Sequence, residues 1–158
     1  MKKYEFTGET KRVELWNRTA TLHRIKATVE FGFVKVGELG GWIEKEENLS
    51  HEGKAWVWGN AEVCDDAKVW GNAKVCGDAE VFLASHVLVM GSVGSRNDFT
   101  TFFRDKDNEI TVKCGCFLGK IDKFLEKVTQ THGNNKYALV YRAAVEVAKL
   151  QIELTERK

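Results

Sequence analysis

Apolar and polar residues alternate along this chain with a period that changes twice. Tyr4-Glu5-Phe6, Thr19 to Phe31 and Phe33 to Val36 alternate closely enough to predict strands, since successive side chains of an extended backbone face opposite ways. From Ile43 to Arg96 the period is six. Ala55, Ala61, Ala67, Ala73 and Ala79 recur at that spacing, with Ser85 and Gly91 in the same phase, and Val57, Val63, Val69, Val75, Val81, Val87 and Val93 each follow two residues later. The phase runs back through Leu49 to Ile43, which makes nine hexads. Within a hexad the small residue and the valine share one face of an extended segment. Gly59-Asn60, Asp65-Asp66, Gly71-Asn72 and Gly77-Asp78 then supply residues that tolerate positive φ, so each hexad predicts a short strand followed by a corner.

Beyond the array a polar turn, Asp105 to Asn108, precedes a predicted strand, Ile110 to Phe117. The period then becomes helical. Ile121, Phe124, Leu125 and Val128 predict a helix over Lys120 to Thr129. Tyr137, Tyr141, Ala144, Val145, Ala148 and Ile152 predict a longer one over Lys136 to Leu154, capped by Asn135.

Short strands and corners with inward small-plus-valine pairs resemble the hexapeptide-repeat family, whose left-handed parallel β-helices use three hexads per coil of about 18 residues. The expected fold is therefore mainly β: a short left-handed parallel β-helix of about three coils, an N-terminal β segment, and a C-terminal α+β module ending in two helices. The expected divisions are 1–42, 43–96 and 97–158. A flatter turn of 12 residues is the alternative, because Trp58/Trp70 and Cys64/Cys76 repeat at that spacing. In either geometry the residue after each valine, Trp58, Cys64, Trp70, Cys76, Phe82 or Leu88, points outward and needs a cover, either the chain's own helices or a second subunit. Gly40-Gly41 before Trp42 and Ile43 is expected to bend the chain into the array. It is not a phosphate loop, since no Gly-Lys-Ser/Thr ending follows.

Composition narrows the functions open to such a chain. Of 158 residues, 24 are Lys or Arg and 23 Asp or Glu, so a net charge of +1 provides no global field for a nucleic-acid polymer or a membrane surface. The charge is segregated: residues 1–36 carry +4, 37–93 carry −6 and 94–158 carry +3. No apolar run reaches the roughly 20 residues of a bilayer span. The opening Met1-Lys2-Lys3-Tyr4-Glu5 lacks a signal-peptide core, and an intracellular protein with four reduced cysteines is expected.

A second resemblance covers nearly the whole chain. Leu22-His23-Arg24-Ile25-Lys26-Ala27, Leu39-Gly40-Gly41-Trp42-Ile43-Glu44, the Asn-Ala-x-Val hexads, Gly94-Ser95-Arg96-Asn97-Asp98, Cys114-Gly115-Cys116-Phe117 and His132-Gly133-Asn134-Asn135-Lys136-Tyr137 resemble a group of bacteriophage and prophage hexapeptide-repeat, transferase-like proteins. That resemblance implies a fold and a viral setting, hence the host cytoplasm, rather than an activity.

Chemistry-bearing residues concentrate after the array. Arg96 and Arg104 are candidates to grip phosphate bidentately, Ser95, Asn97, Thr100 and Thr101 to donate hydrogen bonds, and Asp98 to accept from a ribose hydroxyl or base amine. Phe99, Phe102 or Tyr137 offer stacking faces. His132, Asn134 and Lys136 stand at the start of the last helix, where backbone amides favour an anion. The alternative is a polar cap ending the array, with Asp98 paired to an arginine. Acyl transfer through His86 or His132 is the competing enzymatic reading, with His86 expected at a solvated outward position. Cys114 and Cys116, two apart on a strand and near His132, suggest zinc but lack a fourth ligand. The function expected is binding and sequestration of a small phosphorylated nucleotide-type signal of host antiviral defence, without catalysis or cofactor, by a homo-oligomer, expected to be a trimer. A purely structural or protein-binding role is the third class.

Overall fold

A computed structural model describes residues 2–95 and 97–154. Its chain opens with two long antiparallel strands, β1 (Tyr4–Glu14) and β2 (Thr19–Ala27), closed by a turn in which the Leu15 amide reaches the Arg18 carbonyl. Both faces of β2 are used: Ala20 and Leu22 pack on Cys64 and Phe82 from one face, and Ile25 and Ala27 join the alanine–valine core from the other. Its other edge pairs antiparallel with β3 (Leu39–Ile43). The expected strand over Phe33 to Val36 is instead a tight turn closed by a Phe31–Val34 bridge.

Four two-residue strands follow: β4 (Trp56–Val57), β5 (Glu62–Val63), β6 (Lys74–Val75) and β7 (Glu80–Val81). Every alanine and valine of the hexads from Ala55 to Val81 is buried in one core, as the shared-face spacing predicts. Asp65, Gly59, Gly71 and Gly77 turn with positive φ at the corners. The glycine pair lies within β3, where side chains would strike Val57 and Ala61: an added Cβ on Gly40 would stand 2.8 Å from the Val57 carbonyl, and on Gly41 2.7 Å from that of Ala61.

The expected left-handed β-helix over 43–96 is nevertheless not the architecture. The strands form three separate sheets: a mixed five-stranded sheet in the order β1-β2-β3-β5-β7, a parallel pair β4-β6, and an antiparallel sheet. Parallel partners such as Trp56↔Lys74 and Glu62↔Glu80 extend over only two residues each, and the 12-residue register does not occur among them. Two causes are visible. The N-terminal hairpin annexes β3 by antiparallel pairing. After Val81 no Gly, Asn or Asp corner interrupts the chain, so a single 3-10 turn at Ala84–His86 leads into one continuous strand, β8 (Val87–Val93), instead of further hexads.

β8 pairs antiparallel with β9 (Asp98–Arg104), which pairs with β10 (Ile110–Cys114) and it in turn with β11 (Phe117–Lys120). Two helices, α1 (Ile121–His132) and α2 (Lys136–Gln151), pack on this sheet. Gly133 turns between them with φ 61°, and the Asn135 side chain accepts the Ala138 amide at 3.1 Å. Strand β9 serves both cores, because Phe102 packs among the helices and Phe103 against the hexad valines. No helix among the described residues is long and apolar enough to cross a membrane.

The outward residues of the hexads find different covers. Cys64 and Phe82 are buried beneath Ala20 and Leu22 of the N-terminal hairpin, Leu88 packs with the helical module, and Trp70 remains 52% exposed.

Candidate functional site

The residues singled out after the array divide into three groups. Ser95, Asn97 and Asp98 are exposed at the β8–β9 turn, where the Asp98 carboxylate accepts the Phe99 amide at 2.7 Å. Arg96 lies outside the described residues. Thr100 and Thr101 are buried in β9 and committed to it: the Thr100 hydroxyl donates to Cys114 Sγ, and the Thr101 hydroxyl accepts the Lys74 amide at 3.0 Å. Arg104 is likewise no open phosphate clamp. Its guanidinium donates to the Glu80 carbonyl at 2.9 Å and to Asn108 at 3.0 Å, faces the Glu80 carboxylate and lies over the Phe82 ring. The end of β9 abuts β7, so this arginine closes the array.

At the start of α2, Asn97 meets Lys136 and Tyr137 in a shallow cleft of about 280 Å³. Asn134 instead accepts from Arg142 at 3.0 Å, and the His132 ring lies against those of Tyr137 and Tyr141. His86, expected to be solvated, is fully buried, because the 3-10 turn folds its ring back to accept the Phe82 and Leu83 amides. Cys114 ends β10 while Cys116 stands beyond Gly115 in the turn, so the two do not share a strand face. Among the described residues no group of three or more His, Cys, Asp or Glu is placed to hold a metal.

A larger cleft gathers residues that sequence spacing does not connect. Phe33, Trp58, Lys74, Cys76, Asp98, Lys113, Gly115 and Cys116 line a volume of about 620 Å³. It continues past Lys54 and Asn72 into a further region of about 410 Å³. The parallel pair β4-β6 fixes one wall: the Trp58 amide bonds the Val75 carbonyl at 2.8 Å, and Lys74 occupies β6 itself. The β10–β11 turn fixes the other, where the Lys113 ammonium donates to the Gly115 carbonyl. Phe33 is 82% exposed at the rim, with the Lys74 ammonium over its ring at 5.2 Å. Lys54, Lys74 and Lys113 have no acidic partner among the described residues. Among the described residues the only acid in the lining is Asp98. Burial pushes the Cys76 thiol up, so it is uncharged beside these cations. Phe33, Lys54, Lys74 and Lys113 are not singled out as site residues by sequence reasoning; Lys74, a cation between inward Ala73 and Val75, offers a signal, but no spacing joins it to Phe33 or Lys113.

On the other side of the β10–β11 turn lies a smaller apolar pocket of about 170 Å³, walled by Phe99, Phe117, Phe124, Val128 and Tyr141, with Ser95, Asp98, Lys127, Thr131 and His132 at its polar edge. Burial raises the Tyr141 phenol above its ordinary range, so it stays protonated and able to donate.

No model of a known protein family matches this chain, and neither does any curated protein.

Proposed function

We propose that the protein binds and sequesters a small phosphorylated, nucleotide-type molecule in the cleft bounded by Lys54, Lys74, Lys113, Phe33 and Trp58. The observation that carries this reading is the convergence of Lys74 and Lys113, which lack acidic partners among the described residues, with the aromatic faces of Phe33 and Trp58 on one cavity, and of Lys54 on the region adjoining it. Ammonium groups without acidic partners favour phosphate, aromatic faces favour a base, and about 620 Å³ falls within the range of small-molecule sites. Asp98 is placed to accept from a hydroxyl or an amine of such a ligand.

Sequestration needs affinity and copy number, not a reaction. The acyltransfer reading loses support because the His86 ring nitrogen is already occupied by two amides. In the viral setting that the sequence resemblance implies, the ligand is a signalling nucleotide of host defence, met in the host cytoplasm. Self-association, with a trimer as the expected state, is supported by exposed Leu139, Val147 and Leu150 on α2.

The test is calorimetric titration with a panel of linear and cyclic nucleotides and ADP-ribose derivatives, followed by recovery of the ligand after heating. At least one member is expected to bind and to be released intact. Lys74→Ala/Lys113→Ala should weaken it by about tenfold or more, the loss of about 1.4 kcal/mol. A panel that never binds, or affinity unchanged in that double variant, overturns the reading.

A further inference from the structure

The lysine cleft and the apolar pocket are not independent cavities. Asp98, Gly115 and Cys116 line both, so the β10–β11 turn and the start of β9 form a common rim. Their chemistries are complementary. One side offers Lys74 and Lys113; the other is walled by four aromatic rings, Phe99, Phe117, Phe124 and Tyr141.

Size decides what each can hold. An apolar cavity of about 150 Å³ accommodates benzene. A pocket of about 170 Å³ therefore takes one planar ring system but not a whole nucleotide. The walls suit such a ring, since aromatic side chains prefer stacked and edge-to-face neighbours. Phe124 already meets Tyr141 edge to face at 5.6 Å between ring centroids and lies tilted against Phe117 at 5.4 Å. Polar groups stand only at the edge, and Asp98, an acceptor there, favours a ring bearing an N–H or amino donor.

We infer that the ligand is held in two parts, a nucleobase-like ring in the Phe99/Phe117/Phe124/Tyr141 pocket and its phosphates across the Asp98–Gly115–Cys116 rim on Lys74 and Lys113. This inference rests on the anion-binding reading above and narrows it to molecules that join an aromatic heterocycle to phosphate. Neither half alone engages both cavities. Linking them makes the second contact intramolecular, so the joined molecule binds tighter than either fragment.

Titrating the intact protein with the four ribonucleoside monophosphates, the four nucleosides and inorganic pyrophosphate separates the possibilities. At least one monophosphate should bind about tenfold or more tighter than both its nucleoside and pyrophosphate. Val128→Phe, which fills the apolar pocket from α1, should weaken that nucleotide and its nucleoside while leaving pyrophosphate unchanged. Lys74→Ala/Lys113→Ala should weaken that nucleotide and pyrophosphate while leaving the nucleoside unchanged. A monophosphate that binds no tighter than pyrophosphate overturns the two-part site while sparing the anion-binding reading, and this comparison needs no variant. Nucleotide affinity unchanged in folded Val128→Phe overturns it as well. If neither pyrophosphate nor any monophosphate binds, both readings fall together.

Discussion

The imidazole of His86 accepts the Phe82 amide on Nδ1 at 3.1 Å, in a site with no solvent contact. Burial, aided by the charge of Arg104, lowers its pKa from the ordinary 6.5 to about 4. The unfolded chain therefore binds a proton more readily than the folded one. The stabilisation is whole above pH 6.5 and drains as pH falls toward 4. Between pH 7 and pH 5 it should cost about 2 kcal/mol of unfolding free energy. Urea melts at those two values check this, with His86→Gln expected to flatten the difference; equal midpoints for the wild-type protein would contradict it.

Asp105 organises the β9–β10 turn. Its buried carboxylate accepts from the Asp107 and Glu109 amides, from the Thr111 hydroxyl at 2.6 Å and from the Lys120 ammonium at 2.6 Å. Burial alone would raise its pKa, but the bonds from Lys120, Thr111 and the two amides outweigh it and hold the group below 3.8. This stabilisation is present above the unfolded value and disappears as pH falls through the lower folded one. Asp105→Ala removes the acceptor of the Asp107 and Glu109 amides and of the Thr111 hydroxyl, while Lys120 keeps Asp107 at 3.0 Å, for an expected loss of roughly 2 kcal/mol or more in a chemical-denaturation series.

Gly94 turns the chain after β8 with φ 79°, and a Cβ there would lie 1.9 Å from the Tyr141 hydroxyl. Gly94→Ala combines backbone strain with displacement of that ring. Its expected cost is about 2 kcal/mol or more, read as a fall in melting temperature. Because Tyr141 lines the apolar pocket, nucleoside affinity should fall too.

The four thiols should react in an order set by the fold. Cys116 is exposed in the β10–β11 turn, whereas Cys64 is fully buried under the N-terminal hairpin with its thiol pushed up to about 12. Alkylation followed by peptide mapping should mark Cys116 first and Cys64 only after unfolding. Early modification of Cys64 would mean that the hairpin does not cover the array.

Much of this was legible where structure is local. The inward Ala and Val of the hexads from Ala55 to Val81, the glycine corners, both helices and the Asn135 cap follow from spacing and residue type alone. Pairing was not. Nothing near Leu39 announces that the strand there will accept an antiparallel hairpin, and the Val87–Val93 run keeps the valine phase of the hexads although, without corner residues, it becomes one long strand. The candidate site failed in the same way. Arg104 looked available until the Glu80 carbonyl claimed it, and Phe33, Lys74 and Lys113, some 40 residues apart in turn, meet only because β9 pins β10 beside the parallel pair.

Strand β9 has a consequence for how this protein comes apart. With Phe102 locked into one core and Phe103 into the other, neither half can melt without tearing an aromatic anchor from its neighbour. Heating should give one calorimetric transition, not two. A chain cut at residue 96 would lose the array's plug along with the helices, so the stretches 43–96 and 97–158 drawn from periodicity are expected to unfold together.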